Sequence, residues 1–106
     1  MLSKRERLPV GRYFRGRGIF RRSTHCTLKI FPASGFYSRF GIAVSVSALP
    51  GSAARNRLKR FFFRFASRIK GDVELGDFLL SIAPGMRNIS LGEFEQELEQ
   101  LFLIKK

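Results

Sequence analysis

His25 and Cys26 are the only histidine and the only cysteine of the chain, and they are adjacent. A thiol beside an imidazole is raw material for nucleophilic catalysis. The surrounding residues, Thr24–Phe31, read as a β-strand, however, and neighbours on a strand project to opposite faces. Ordinary strand residues are therefore expected here. A second candidate is the carboxylate run Glu93, Glu95, Glu97 and Glu99, since paired carboxylates can work as general acid and base. At helical spacing these residues fall away from the apolar stripe of Leu91, Phe94, Leu98, Leu101 and Phe102, which makes them a solvated face. The chain has no zinc-ligand spacing, no phosphate-cradling glycine loop and no Ser/His/Asp arrangement. The sequence predicts no catalytic and no metal-ligating side chain.

Binding chemistry is far better represented. Between the breakers Pro50-Gly51 and Gly71-Asp72 lies one element of about 18 residues. Ala54, Leu58, Phe61, Phe62, Phe65 and Ile69 share one helical stripe. Arg57, Arg64 and Arg68 flank it on one side, and Arg55, Lys59 and Lys70 on the other. No acid interrupts it. Like charges three or four residues apart destabilise a helix, and a polyanion removes that cost. Phe63 projects off the stripe. Packing against the first helix is its simpler reading, contact with the bound polyanion the other.

Composition agrees. The chain has 106 residues, a net charge of +12 and twelve phenylalanines. That is enough for a single domain, residues 1–106, with one modest core. Residues 1–71 hold 17 of the 20 lysines and arginines and only one acid, Glu6. Such a domain attracts nucleic acid or an anionic membrane surface. A lone cysteine excludes a disulfide framework, so a reducing, cytoplasmic setting is expected. No stretch suits a membrane span or the apolar run of a secretory signal.

The elements follow in order. Residues 1–22 predict a short helix around Leu8–Phe14, then an irregular basic loop, because Gly11, Gly16 and Gly18 oppose a longer helix. Thr24–Phe31 predicts a strand with Cys26, Leu28 and Ile30 on one face and Thr27, Lys29 and Phe31 on the other. Arg39–Leu49 predicts a second strand, with Ile42, Val44 and Val46 opposite Ala43, Ser45 and Ser47. The basic helix comes next, then a strand over Asp77–Ala83. Ser90-Leu91-Gly92-Glu93 is a capping box opening a helix that runs to about Ile104. A sheet with helices packed on one face is the natural assembly, and its β–helix–β connection would by default be right-handed.

Arg55-Asn56-Arg57-Leu58-Lys59-Arg60, opening a helix after a strand and a small-residue turn, resembles the signature of the bacterial ribonuclease P protein component. Arg7-Leu8 with Phe14 resembles that family's first helix. Gly41-Ile42-Ala43-Val44-Ser45 resembles its strand before the signature, and Gly76–Ala83 its last strand. Ser90–Phe94 through Leu101-Phe102 resembles its final helix. The resemblance implies an α+β fold, a single α/β sandwich with about four strands and a left-handed crossover through the basic helix. It implies maturation of precursor tRNA 5′ ends, with catalysis and Mg²⁺ carried by the RNA subunit. The implied partners are ribonuclease P RNA and precursor tRNA, with no membrane and no protein partner.

By position, the resemblance implies that Arg55, Asn56, Arg57, Lys59 and Arg60 bind RNA, joined by Arg64 and Arg68 further along the helix. It implies leader binding by Phe14, with Lys29 and Phe20 on or beside the sheet's open face. One departure stands out. The family usually carries two lysines and a Gly-Asn before Arg-Asn-Arg, whereas Ser45–Ala54 here is uncharged. A small structural RNA-binding protein of ribosomal type is the alternative, since it would use the same basic helix without a leader cleft. A membrane-surface protein is a third reading, opposed by strands on either side that bury the Phe stripe.

Overall fold

The structure, a computed structural model, describes residues 4–8, 18–33, 35–83 and 89–103. A 3-10 turn over Lys4–Glu6 precedes strand β1 (Ile19–Arg22), strand β2 (Cys26–Phe31) and strand β3 (Arg39–Ala43). Helix α1 (Ser52–Ile69), strand β4 (Asp77–Ile82) and helix α2 (Leu91–Leu101) complete the order. The four strands form one mixed sheet in the order β1-β2-β4-β3. β1 and β4 each run antiparallel to β2, while β3 and β4 are parallel and joined through α1.

Alternation along the strands divides the sheet into two unlike faces. Cys26, Leu28, Phe40, Ile42, Phe78, Leu80 and Ile82 meet Leu58, Phe62, Phe65, Ala66 and Ile69 of α1 and Phe94, Leu98 and Leu101 of α2 in the main core. Phe102, just past α2, is a hub: its ring lies 5.3 Å from Phe78, 5.8 Å from Phe65 and 6.2 Å from Phe40. Burying each such aromatic contributes about 1.5–3 kcal/mol, so this side of the sheet supplies most of the stability. Among the described residues, the other face is covered at one end, where Leu8 joins Phe31 and Leu79. There the N-terminal segment runs beside β3, with the Leu8 amide donating to the Phe40 carbonyl at 2.9 Å.

Helix α1 starts and stops as its breakers dictate, and α2 opens on the expected box. The Glu93 amide donates to Ser90 Oγ at 3.1 Å, and the Ser90 amide donates to Glu93 Oε1 at 3.3 Å. Three expectations are corrected. Residues 19–22 are a strand rather than part of an irregular loop, because β2 supplies the pairing that their short pattern could not announce. The strand predicted over Arg39–Leu49 ends at Ala43. Ser45 diverts the chain there: its hydroxyl accepts from the Ala48 amide at 3.1 Å, its carbonyl accepts from the Leu49 amide, and Val46 is left exposed. The final helix ends at Leu101, where Leu103 takes a positive φ of 56°. The helix expected around Leu8–Phe14 lies, beyond Leu8, outside the described residues.

Candidate nucleic-acid interface

Burying Leu58, Phe62, Phe65, Ala66 and Ile69 fixes how α1 is rotated. Asn56, Arg57, Arg60, Arg64 and Arg68 are thereby left exposed on its outward side. Arg57, Arg60, Arg64 and Arg68 follow one another at spacings of three, four and four residues, so they form a continuous ridge. Among the described residues, Arg57, Arg60 and Arg64 take part in no ion pair. Arg68 differs. It donates to Glu95 Oε1 at 2.5 Å and lies over the Phe65 ring at 5.4 Å. Arg55 differs as well, since Nη1 donates to the carbonyls of Leu49 and Pro50 at 2.8 and 2.9 Å. It ties down the uncharged turn before the helix, so only the rest of its guanidinium faces outward.

Lys59 points a different way. With Ile42, Ala43, Val44, Ser45, Ser81 and Ile82 it lines a groove of about 540 Å³ at the C-terminal ends of β3 and β4. The sheet face opposite the two helices is the other candidate surface. On that face the register sets Phe20 opposite Lys29 and Arg22 opposite Thr27. Phe20 is 52% exposed, and the Lys29 ammonium sits 5.2 Å from its ring centroid. An exposed aromatic with a cation at its side is a platform on which an unpaired base can stack beside its phosphate. Phe14, the remaining residue assigned to leader binding, lies outside the described residues. Phe63 takes the packing role, half-buried against Phe62 with the Arg7 guanidinium 4.9 Å from its centroid.

The rest of the polar chemistry is structural. Asp77, wholly buried, accepts from Arg39 Nε at 3.2 Å and Nη2 at 2.9 Å, bracing β3 against β4. Cys26 is buried, and burial pushes its thiol up to about 12, with the nearby Glu97 charge adding to the effect. A thiol held so high is inert. Glu97 is the residue that sequence reasoning misplaced. It turns inward, with Oε1 accepting from the His25 amide at 2.8 Å and from the Ser23 hydroxyl. Its Oε2 lies 2.7 Å from His25 Nδ1. Burial works against its ionisation, but the hydrogen bonds from Ser23 and His25 outweigh this and hold the carboxyl below its ordinary value. Among the described residues, no three His, Cys, Asp or Glu side chains gather in a way that could hold a metal ion. The Mg²⁺ implied by the resemblance therefore has no fitted site among them.

Against known families, residues 4–106 match the family model for Ribonuclease P. The chain belongs to the ribonuclease P protein family. A mutant ribonuclease P protein of Staphylococcus aureus, described as defective in mRNA degradation activity, superposes with a TM-score of 0.83. The two are 17% identical, over 95% of this chain and 88% of that one. The ribonuclease P protein of Thermotoga maritima superposes with a TM-score of 0.71 at 23% identity, covering 95% of this chain and 99% of the other. The comparison with curated proteins gives no match. As a ribonuclease P protein subunit the chain partners ribonuclease P RNA and takes part in tRNA 5′ processing. No helix among the described residues is long and apolar enough to cross a membrane.

Proposed function

We propose that this subunit binds at two surfaces, and that the RNA subunit, with its Mg²⁺, carries out the phosphodiester cleavage. The ridge of Arg57, Arg60 and Arg64, with Asn56 beside it, engages phosphates of the RNA subunit. Arginine suits this role because its planar fork donates to two phosphate oxygens at once. Arg55 and Arg68 contribute less, since each already has a partner within the protein. The sheet face opposite the two helices, through Phe20 and Lys29, holds the single-stranded 5′ leader of precursor tRNA, and Lys59 guides the strand around the ends of β3 and β4. What carries this reading is the pairing of an acid-free arginine ridge on α1 with an aromatic–cation platform on the sheet.

Directed hydroxyl-radical probing tests it. The native thiol of Cys26 is buried, so a tether couples selectively to Ala53→Cys on the outward first turn of α1, or to Thr27→Cys on the sheet face. In the holoenzyme with bound precursor, the first is expected to cut the RNA subunit and the second the leader. Cuts from Thr27→Cys confined to the RNA subunit would refute the two-surface assignment.

A further inference from the structure

Helix α2 contributes to neither RNA surface, yet it grips the β1–β2 hairpin at two points. At the turn, one carboxylate, Glu97, takes the His25 amide, the Ser23 hydroxyl and the His25 ring. Along the strand, Arg21 Nη1 donates to the Leu101 carbonyl at 2.9 Å. The Glu97 side chain is only 12% exposed, so these bonds form largely out of water, where they are strong.

The hairpin needs such anchors. β1 is a four-residue strand whose only neighbour among the described residues is β2, and Ile19, Phe20 and Arg22 are all exposed. It buries too little apolar surface to hold its own place, and a two-stranded element of this kind is marginal in isolation. What it carries is the platform: Phe20 projects from β1 toward Lys29 on β2, on the face opposite α2.

We propose that Glu97 is a positioning residue for leader recognition. Acting through Ser23 and His25, with Arg21 on the Leu101 carbonyl as a second anchor, it sets the β1–β2 hairpin so that Phe20 and Lys29 stay aligned for an unpaired base and its phosphate. This inference rests on the leader reading of that face. It assigns the acidic helix a part in substrate recognition without RNA contact.

The test uses the holoenzyme and reads one ratio: affinity for a precursor tRNA with a long single-stranded leader over affinity for the same tRNA with a one-nucleotide leader. Phe20→Ala removes the stack outright and is expected to cut the ratio by roughly five- to 150-fold. Glu97→Ala misaligns the platform and is expected to cut it by about fivefold, the lower end of that range. Glu97→Gln keeps an acceptor for the His25 amide and the Ser23 hydroxyl and is expected to restore most of the ratio. Affinity for the RNA subunit is expected to stay the same in all three, because α1 is untouched. Ser23→Ala removes one bond of the set and serves if Glu97→Ala fails to fold; its expected loss is about twofold.

If Phe20→Ala lowers the ratio while folded Glu97→Ala and Ser23→Ala leave it unchanged, Glu97 has only a structural role and the inference is overturned. If Phe20→Ala itself leaves the ratio unchanged, the leader reading fails and the inference falls with it.

Discussion

Replacing Arg57, Arg60 and Arg64 together by alanine isolates the electrostatic contribution of the ridge. All three are exposed helix positions without ion pairs among the described residues. Alanine is the best helix former, and the change relieves like-charge repulsion, so the fold is expected to hold or gain slightly. Each arginine that neutralises one phosphate adds about 0.7–0.9 to the slope of log affinity against log salt. Losing three contacts lowers the slope by about 2–3, and a fourfold rise in salt then narrows the gap between wild type and variant by roughly 20- to 40-fold. Filter binding to the RNA subunit across a salt series measures this. Arg68→Ala is the contrast: breaking its bond with Glu95 offsets part of any RNA contact, so its slope change is expected to stay below one. A folded triple variant that binds with unchanged affinity and slope would refute the assignment of the ridge.

Other perturbations address the frame that presents these surfaces. Asp77→Ala removes the buried carboxylate that accepts from Arg39 and is expected to cost about 1–3 kcal/mol, seen as a lower urea midpoint by circular dichroism. Gly18→Ala would place a Cβ 2.6 Å from the Ile30 carbonyl oxygen, so β1 must shift, at about 1–3 kcal/mol, with faster amide exchange at residues 19–22. The Glu97 carboxyl is depressed in the fold from an ordinary value of 4.5, so its ionised form stabilises the protein at pH above that value. That contribution is lost as pH falls through the depressed folded-state value, and Glu97→Gln is expected to flatten the acid limb of stability against pH.

Much of this arrangement was legible because local signals were strong. Eighteen residues between two breakers, with a regular apolar stripe, specified α1 and placed Arg57, Arg64 and Arg68 beside that stripe, whereas the Arg55 bonds to Leu49 and Pro50 were not legible. Ser90 and Glu93 specified the start of α2. The alternation in Thr27-Leu28-Lys29-Ile30 sorted the residues of β2 onto two faces before any neighbour was known. What escaped depended on long-range pairing. β1 carries two arginines in four residues and becomes a strand only because β2 accepts it as an edge. The end of β3 is set by a serine side-chain turn that competes with the ladder, in a run whose hydrophobic alternation continues past it. Glu97 sits at the margin of the α2 stripe, where a helical wheel cannot separate solvent from a partner 72 residues away. The inward turn of that one carboxylate depends on the hairpin that the sequence did not announce.

The most direct measurement is cleavage of a 5′-extended precursor tRNA at near-physiological Mg²⁺. It compares a bacterial ribonuclease P RNA alone, the RNA with this protein, and the protein alone. The account predicts strong stimulation only when both are present and no cleavage by the protein alone. Cleavage by the protein alone, or tight binding to the RNA with no stimulation by wild-type protein under these conditions, would contradict it.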